Sequence, residues 1–287
     1  MMLADAIRSE TWRLLQNRTA VFWSVIFVPL ISLVLAIGGY LFLQSKMSGA
    51  ADSLPPELKL TPGALDLGPA LVDAAGGLAN PGVLAFLLIG AATVFAGDYR
   101  WETWRLITAR NSRPNLIMGK AGAVKLLTLA GLLLLLIASM GADVAKGLIF
   151  GRSFTFGFGG DEAQAFGLLA LLSYVRVVQF LLLSLLAATV TRSLLAALFV
   201  PLVIGVGQFF LAKMSPLFGW QMGDWATMLL FPGESYEVLK VLIKGGMETA
   251  LLPAGVGWRA VTGLALWSFA PFFLALWWFQ RQDLSKE

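Results

Sequence analysis

The sequence predicts an all-α integral membrane protein with six transmembrane helices, an N-terminal interfacial amphipathic helix, and short outer helices between spans five and six. Three observations predict it. First, 58% of the 287 residues are apolar and only 13% are charged, with a mean hydropathy of +0.78. Soluble domains carry about a quarter charged residues, so this chain cannot cover its own surface with polar groups and lipid is the expected solvent. Second, its charges divide it into six long apolar runs, each near the roughly 20 residues that a spanning helix requires. Third, Lys and Arg gather in alternate connections, as the positive-inside rule demands.

In chain order, nothing is charged between Arg18 and Lys46, between Asp73 and Asp98, or between Lys125 and Asp143. The run from Glu162 to Arg192 is broken only by Arg176, and the last two lie between Arg192 and Lys213 and between Arg259 and Arg281. Spans are therefore expected at about 20–43, 78–97, 121–142, 166–190, 194–212 and 260–279, in a single transmembrane domain over 1–287. The third is the shortest, about 17 uncharged residues, with Lys125 placed to snorkel to the interface. The first is too long for a secretory signal and lacks a following cleavage site, so it reads as a retained span.

Orientation comes from the short connections. The N-terminus carries Arg8, Arg13 and Arg18, and residues 98–120 carry Arg100, Arg105, Arg110, Arg113 and Lys120 against Asp98 and Glu102. Arg192 stands in the turn before span five, and Arg281 and Lys286 in the tail. Six spans place all of these on one side, expected to be cytoplasmic together with both termini. The opposite connections, about 44–77, 143–165 and 213–259, hold Asp52, Glu57, Asp66, Asp73, Asp161, Glu162, Glu234 and Glu237. Pro55, Pro56, Pro62, Pro69 and Gly76-Gly77 predict an irregular first outer loop with one short helix. In the third, Asp224–Leu230 and Tyr236–Ile243 read as short helices around Pro232-Gly233. Trp220, Trp225 and Trp258 nearby suit the headgroup region, so these helices are expected to be interfacial or re-entrant.

Absences narrow the chemistry. The chain has no cysteine and no histidine, which removes disulfides, thiolate metal sites, His-dependent hydrolysis and His-ligated haem. No G-x-x-x-x-G-K-[ST] phosphate cradle exists; Gly119-Lys120 lacks both the upstream Gly and the following Ser or Thr. No catalytic residue and no metal ligand is assigned. Met214, Met222, Met228 and Met247 are better explained by packing than by copper, and Gln208 with Gly205-x-Gly207 by helix contact.

Three segments remain as candidates. In the helix expected over about 2–17, Leu3, Ile7 and Leu14 share a face, with Arg8, Glu10 and Arg13 largely off it. That pattern suits a helix lying on the inner leaflet, although any basic segment before a first span resembles it. The stretch Asp98–Lys120, DYRWETWRLITARNSRPNLIMGK, is longer than topology requires. Trp101, Trp104 and Ile107 can face one way while Arg100, Glu102 and Arg105 give a polar side. The polar side reads as a docking surface for a cytosolic partner, or else as plain positive-inside charge beside an aromatic belt. Arg176 is the one charge well inside an apolar run, with Ser173 and Gln179 three residues to either side. It reads as part of a transport pathway, or as a cation snorkelling from a span that starts late.

These residues resemble the membrane subunits of type-2 ABC transporters. The exit from span two in that family runs from an acid and an aromatic through a Thr and a Leu-rich turn to Ser-Arg and a closing Lys. Asp98, Tyr99, Thr103, Leu106-Ile107, Ser112-Arg113 and Gly119-Lys120 stand here in that order. Glu10-x-x-Arg13 before Arg18 and the first span resembles the family's N-terminal interfacial helix, and the turn Thr191-Arg192-Ser193 also agrees. Glu102 stands where a Gly is common, and Arg110-Asn111 where a Pro is common. The resemblance implies the permease subunit of an ABC exporter in a bacterial cytoplasmic (inner) membrane, forming the substrate pathway and coupling to a separate cytosolic ATPase. It implies two copies of that ATPase, a second permease subunit in a homodimer or heterodimer, surrounding membrane lipid and no nucleic acid. ATP and magnesium would belong to the partner, with no cofactor bound by this chain. Asp98, Tyr99, Arg100, Glu102, Thr103, Arg105, Arg113 and Lys120 become the coupling candidates, Glu10 and Arg13 those of the interfacial helix, and Arg176 and Gln179 those of the pathway. A six-span secondary transporter or channel without an ATPase is the alternative. It should show internal repeats or paired acids inside spans, and no acid lies inside the six expected spans.

Overall fold

The computed structural model of the chain describes residues 3–50, 63–101, 103–108, 111–221 and 223–283, with the backbone alone described at 47–50 and 105–106. Six of its helices are long and apolar enough to cross a membrane. Helix α1 (Leu3–Gln16) precedes the first span, which runs as α2 (Arg18–Val21), a π-helical turn over Phe22–Ile26 and α3 (Phe27–Ala50). Asn17 separates α1 from α2, its side chain capping α2 by accepting from the Ala20 amide. After α4 (Leu67–Gly77), spans two and three are α5 (Pro81–Arg100) and α7 (Arg113–Ile149), joined through α6 (Trp104–Thr108). Spans four and five are α8 (Gly160–Thr191) and α9 (Leu194–Met214). Two short helices, α10 (Trp225–Leu230) and α11 (Pro232–Lys244), lead to the last span, α12 (Val256–Arg281).

A long apolar helix overlaps each of the six expected spans, and its bounds differ instructively. The third, whose uncharged run is the shortest, is carried by the longest helix, with 37 residues against the 20 of α5. Charge density at 113–125 did not end it because Lys120 is buried and paired inside the bundle. Likewise α5 runs on past Gly97 and takes Asp98 into its last turn. Between α8 and α9 the chain reverses within two residues: Arg192 adopts a left-handed conformation at φ 58°, and Ser193 caps α9 by accepting from the Ala196 amide. Pro55, Pro56 and Pro62 lie outside the described residues, while Pro69 sits inside the short helix α4.

The centre of the bundle is α5 and α8, about two-thirds buried over their most apolar windows, whereas α9 is only 11% buried. At the end away from α1, β1 (Leu65–Asp66) pairs in parallel with β2 (Phe154–Thr155) and links two connections. Asp66 holds this corner by accepting from the amides of Gly68 and Gly157. The pair α10–α11 forms a hairpin that descends along α12. Arg259 donates to the Gly223 carbonyl, Gly263 leaves room for the Met228 carbonyl, and Trp267 Nε1 donates to the Leu229 carbonyl at 2.7 Å. Trp267 lies about 16 Å along α12 from its start, so the tip at Phe231-Pro232-Gly233 reaches well into the bundle.

Candidate functional site

Residues that lie far apart in the chain meet where α1, the end of α5 and the first turns of α7 converge. Helix α1 crosses α7 at two glycines. A Cβ on Gly119 would stand 2.9 Å from that of Ala6, and one on Gly122 2.7 Å from Ile7 Cγ1, so only glycine permits this approach. The close crossing turns Ala6, Glu10 and Leu14 inward. Glu10, expected off the apolar face, is thus on the buried one; the helix seats against another helix, and its inner stripe is set by that contact and not by hydropathy alone.

Asp98 is fully buried and Lys120 nearly so, with 1% of the residue exposed. Asp98 Oδ1 accepts from Arg13 Nη2 at 2.8 Å and from the Thr103 hydroxyl, while Oδ2 pairs with Lys120 Nζ at 2.5 Å. Lys120 uses its other two protons on Glu10 Oε2, at 3.4 Å, and on the Val94 carbonyl, at 2.8 Å. Arg13 Nη1 donates to Glu10 Oε1 at 3.1 Å and closes the ring of charges. Two acids and two cations balance, and every proton on the ammonium finds an oxygen. The Asp98 carboxylate raises the Arg13 guanidinium above its already high ordinary value. Beneath Lys120 the Trp104 ring lies 5.2 Å from its nitrogen. Asp98 also anchors the turn into α6, since its carbonyl accepts from the Thr103 amide.

Trp101 and Trp104 do not share a face. Helix α5 ends at Arg100, and the break before α6 turns Trp101 outward, 70% exposed, while Trp104 is buried against Tyr99 and Phe279. Ile107 packs with Trp104's side of the core. Arg100 stacks on the Trp101 ring at 5.3 Å. Arg113, the first residue of α7, caps the C-terminal end of α12: its Nη1 donates to the carbonyls of Gln280 and Gln282 at 2.9 and 2.7 Å. Gln282 was invisible to sequence reasoning. It accepts from the Tyr99 hydroxyl at 2.9 Å and donates to the Thr189 carbonyl, so one buried amide ties α5, α8 and α12 together. A lone Gln after a span carries no periodic signal that could have revealed it. Glu102 lies outside the described residues, and of Arg105 only its place in α6 is described.

The second candidate region is mid-bundle. Arg176 Nη1 donates to Gln179 Oε1 at 2.7 Å, and the guanidinium lies over the Phe180 ring at 4.7 Å and beside Gly233 at the hairpin tip. Ser173, one turn away, instead donates to the Ala75 carbonyl and meets the Tyr236 hydroxyl at 3.1 Å. The polar stripe read in the sequence therefore exists, but it divides between two neighbours. Gln179 Nε2 is buried without a partner. Gly205 packs on Phe180, where an added Cβ would come within 2.7 Å of its ring. On the other side of the tip a groove of about 490 Å³ opens between Gly207, Gln208, Phe231 and Trp267.

Comparison of the chain with protein-family models, curated proteins and solved structures gives no match.

Proposed function

We propose that this chain is the transmembrane permease subunit of an ABC exporter, with the ionic cluster as the structural root of its coupling to a separate cytosolic ATPase. One observation supports this above all. Glu10, Arg13, Asp98, Thr103 and Lys120, which carry much of the resemblance, converge within hydrogen-bonding distance although they span more than a hundred positions. A force applied to the segment between α5 and α7 would reach three helices at once, because both of its ends are pinned: Asp98 and Thr103 at one, Arg113 on the end of α12 at the other. Residues 101–112 would then serve as the docking segment, with Glu102 and Arg105 offered to the partner.

In this reading the end that holds α1 and Gln282 faces the cytoplasm, α1 lies at the membrane interface, and α10–α11 is a re-entrant hairpin entering from the opposite side. A second permease copy or homologue completes the pathway, and two ATPase copies supply the energy.

The test is to purify the tagged chain from its native membrane and identify the ATPase that accompanies it. Glu102→Ala with Arg105→Ala should reduce that co-purification by about 1–3 kcal/mol of contact energy if the segment is buried in the interface. Hydrolysis of ATP by this chain with no partner present would overturn the assignment.

A further inference from the structure

Beside the ionic cluster lies a pocket of about 350 Å³ that the cluster itself does not use. Its floor is the paired edge of Glu10 and Lys120, its rim carries Arg13, Asn17, Arg100 and Trp101, and Leu14 and Leu194 form apolar walls. Both Glu10 oxygens are already occupied, one by Arg13 and the other by Lys120. The acids and bases of the cluster cancel, so the remaining charge at the rim is that of Arg100. This guanidinium pairs with no carboxylate among the described residues and rests only on the Trp101 ring. Arg13 keeps 47% of its side chain accessible, with its guanidinium nitrogens turned to Glu10 and Asp98.

The pocket's depth limits what it can hold. Its lining reaches from Arg100 back to Thr93, about 10 Å along α5 from the end of the span. Leu194 opens the first turn of α9, whose next residues Leu195 and Phe199 are 65% and 53% exposed. A cationic rim at the level where a span ends, continuing sideways into an exposed apolar helix face, matches a phosphate group attached to an alkyl chain. A soluble protein approaching the end of the bundle would meet the Trp101 rim but would not need the apolar wall.

We propose that this pocket binds the phosphate of an anionic membrane lipid, held by Arg100 and the outer face of Arg13, with its chain leaving along Leu194 and the exposed face of α9. This rests on the chain being embedded in a bilayer and is independent of the ATPase assignment. A bound lipid there would contact α1, α5, α7 and α9 together and so bias how the charged cluster sits.

The full-length chain in detergent micelles would be titrated with dioleoyl phosphatidylglycerol, with dioleoyl phosphatidylcholine, or with inorganic phosphate, and retained lipid counted by native mass spectrometry. Phosphatidylglycerol should be retained over phosphatidylcholine, and Arg100→Gln should weaken that preference about five-fold, the effect of one basic residue at a lipid surface. Leu194→Trp, which fills the wall without touching a charge, should also lower retention. Equal retention of the two lipids, or a phosphatidylglycerol preference untouched by both variants, would overturn the proposal. So would inorganic phosphate competing at concentrations equal to the lipid, since the alkyl wall would then contribute nothing. If Arg100→Gln reduced ATPase co-purification and left lipid retention intact, the rim would be a protein contact and the proposal would fail.

Discussion

Two regions of this molecule bury a cation, and they do so by opposite means. At the end where α1 meets α5 and α7, Lys120 sits among two carboxylates and a carbonyl, and its charge is neutralised within the cluster. In the middle of α8, Arg176 has one amide oxygen, an aromatic face and the backbone of a hairpin tip, with no carboxylate paired to it among the described residues. Desolvating a charge costs several kcal/mol unless a counter-charge and hydrogen bonds offset it. The first arrangement offsets that cost and reads as a structural lock. The second meets it with hydrogen bonding and an aromatic face but no counter-charge among the described residues, which favours a role other than holding the bundle together.

The largest effect should come from breaking the lock. Asp98→Ala leaves Lys120 and Arg13 against a single remaining acid, with one cation fully buried. Removal of one partner from a buried pair costs about 3–5 kcal/mol, and thermal unfolding in detergent should register a loss of that size. Replacing the pair together, Asp98→Leu with Lys120→Met, should recover much of it, because isosteric apolar substitutes are often neutral. A double variant as unstable as the single one would mean that Glu10 and Arg13 depend on the pair for their own placement. A single variant within experimental error of the native chain would remove the lock from the comparison altogether.

A smaller effect should follow from loosening the contact that assembles the cluster. Gly119→Val would place a branched side chain where Ala6 stands 2.9 Å from a bare Cβ position. Overpacking of this kind costs about 1–3 kcal/mol, and α1 should lift from α7. The readout is accelerated proteolysis within α1, checked against unchanged cleavage near Asp73 at the other end. Equal cleavage in the variant and the native chain would show that the ionic contacts alone seat α1.

What could be read from the sequence divides along the same line. Spans were legible because hydropathy is a local property, accumulated over some twenty neighbours. Asp98, Lys120, Glu10 and Arg13 could be singled out only through a resemblance, since composition treats each as an interfacial charge. Their pairing depends on α1 folding back over α7, which no local pattern encodes. The same lack of tertiary information hid how far the helix of span three extends, because Lys120 looks like a terminator until its counter-ions are in view. It also put Trp101 with Trp104, because the helix break between them lies in a stretch of ordinary helix-compatible residues. Arg176 was legible for the converse reason: a charge alone in an apolar run stands out whatever surrounds it.

Arg176 also gives the smallest expected change in stability, and that smallness is the sharpest test of the contrast. Arg176→Met would forfeit a charge-assisted hydrogen bond to Gln179, worth about 1.5–3 kcal/mol, and leave a second amide atom of Gln179 unpaired. Against this, it removes a cation whose presence at a helix centre costs about 2.5–3.5 kcal/mol on insertion scales. The two nearly cancel, so the unfolding midpoint should correspond to a change within about 1 kcal/mol. In the proposed exporter turnover should not be spared: if the residue lines the substrate path, ATP hydrolysis by the proposed complex should lose its response to cargo while basal hydrolysis and partner binding persist. Thermal unfolding and hydrolysis measured on the same preparation separate the cases. A loss of about 3–5 kcal/mol, like that of Asp98→Ala, would make Arg176 a second lock and erase the distinction between the regions. Unchanged stability with unchanged turnover would mean that the hairpin tip needs the arginine for neither purpose, and the pathway would have to be sought on another face of α8.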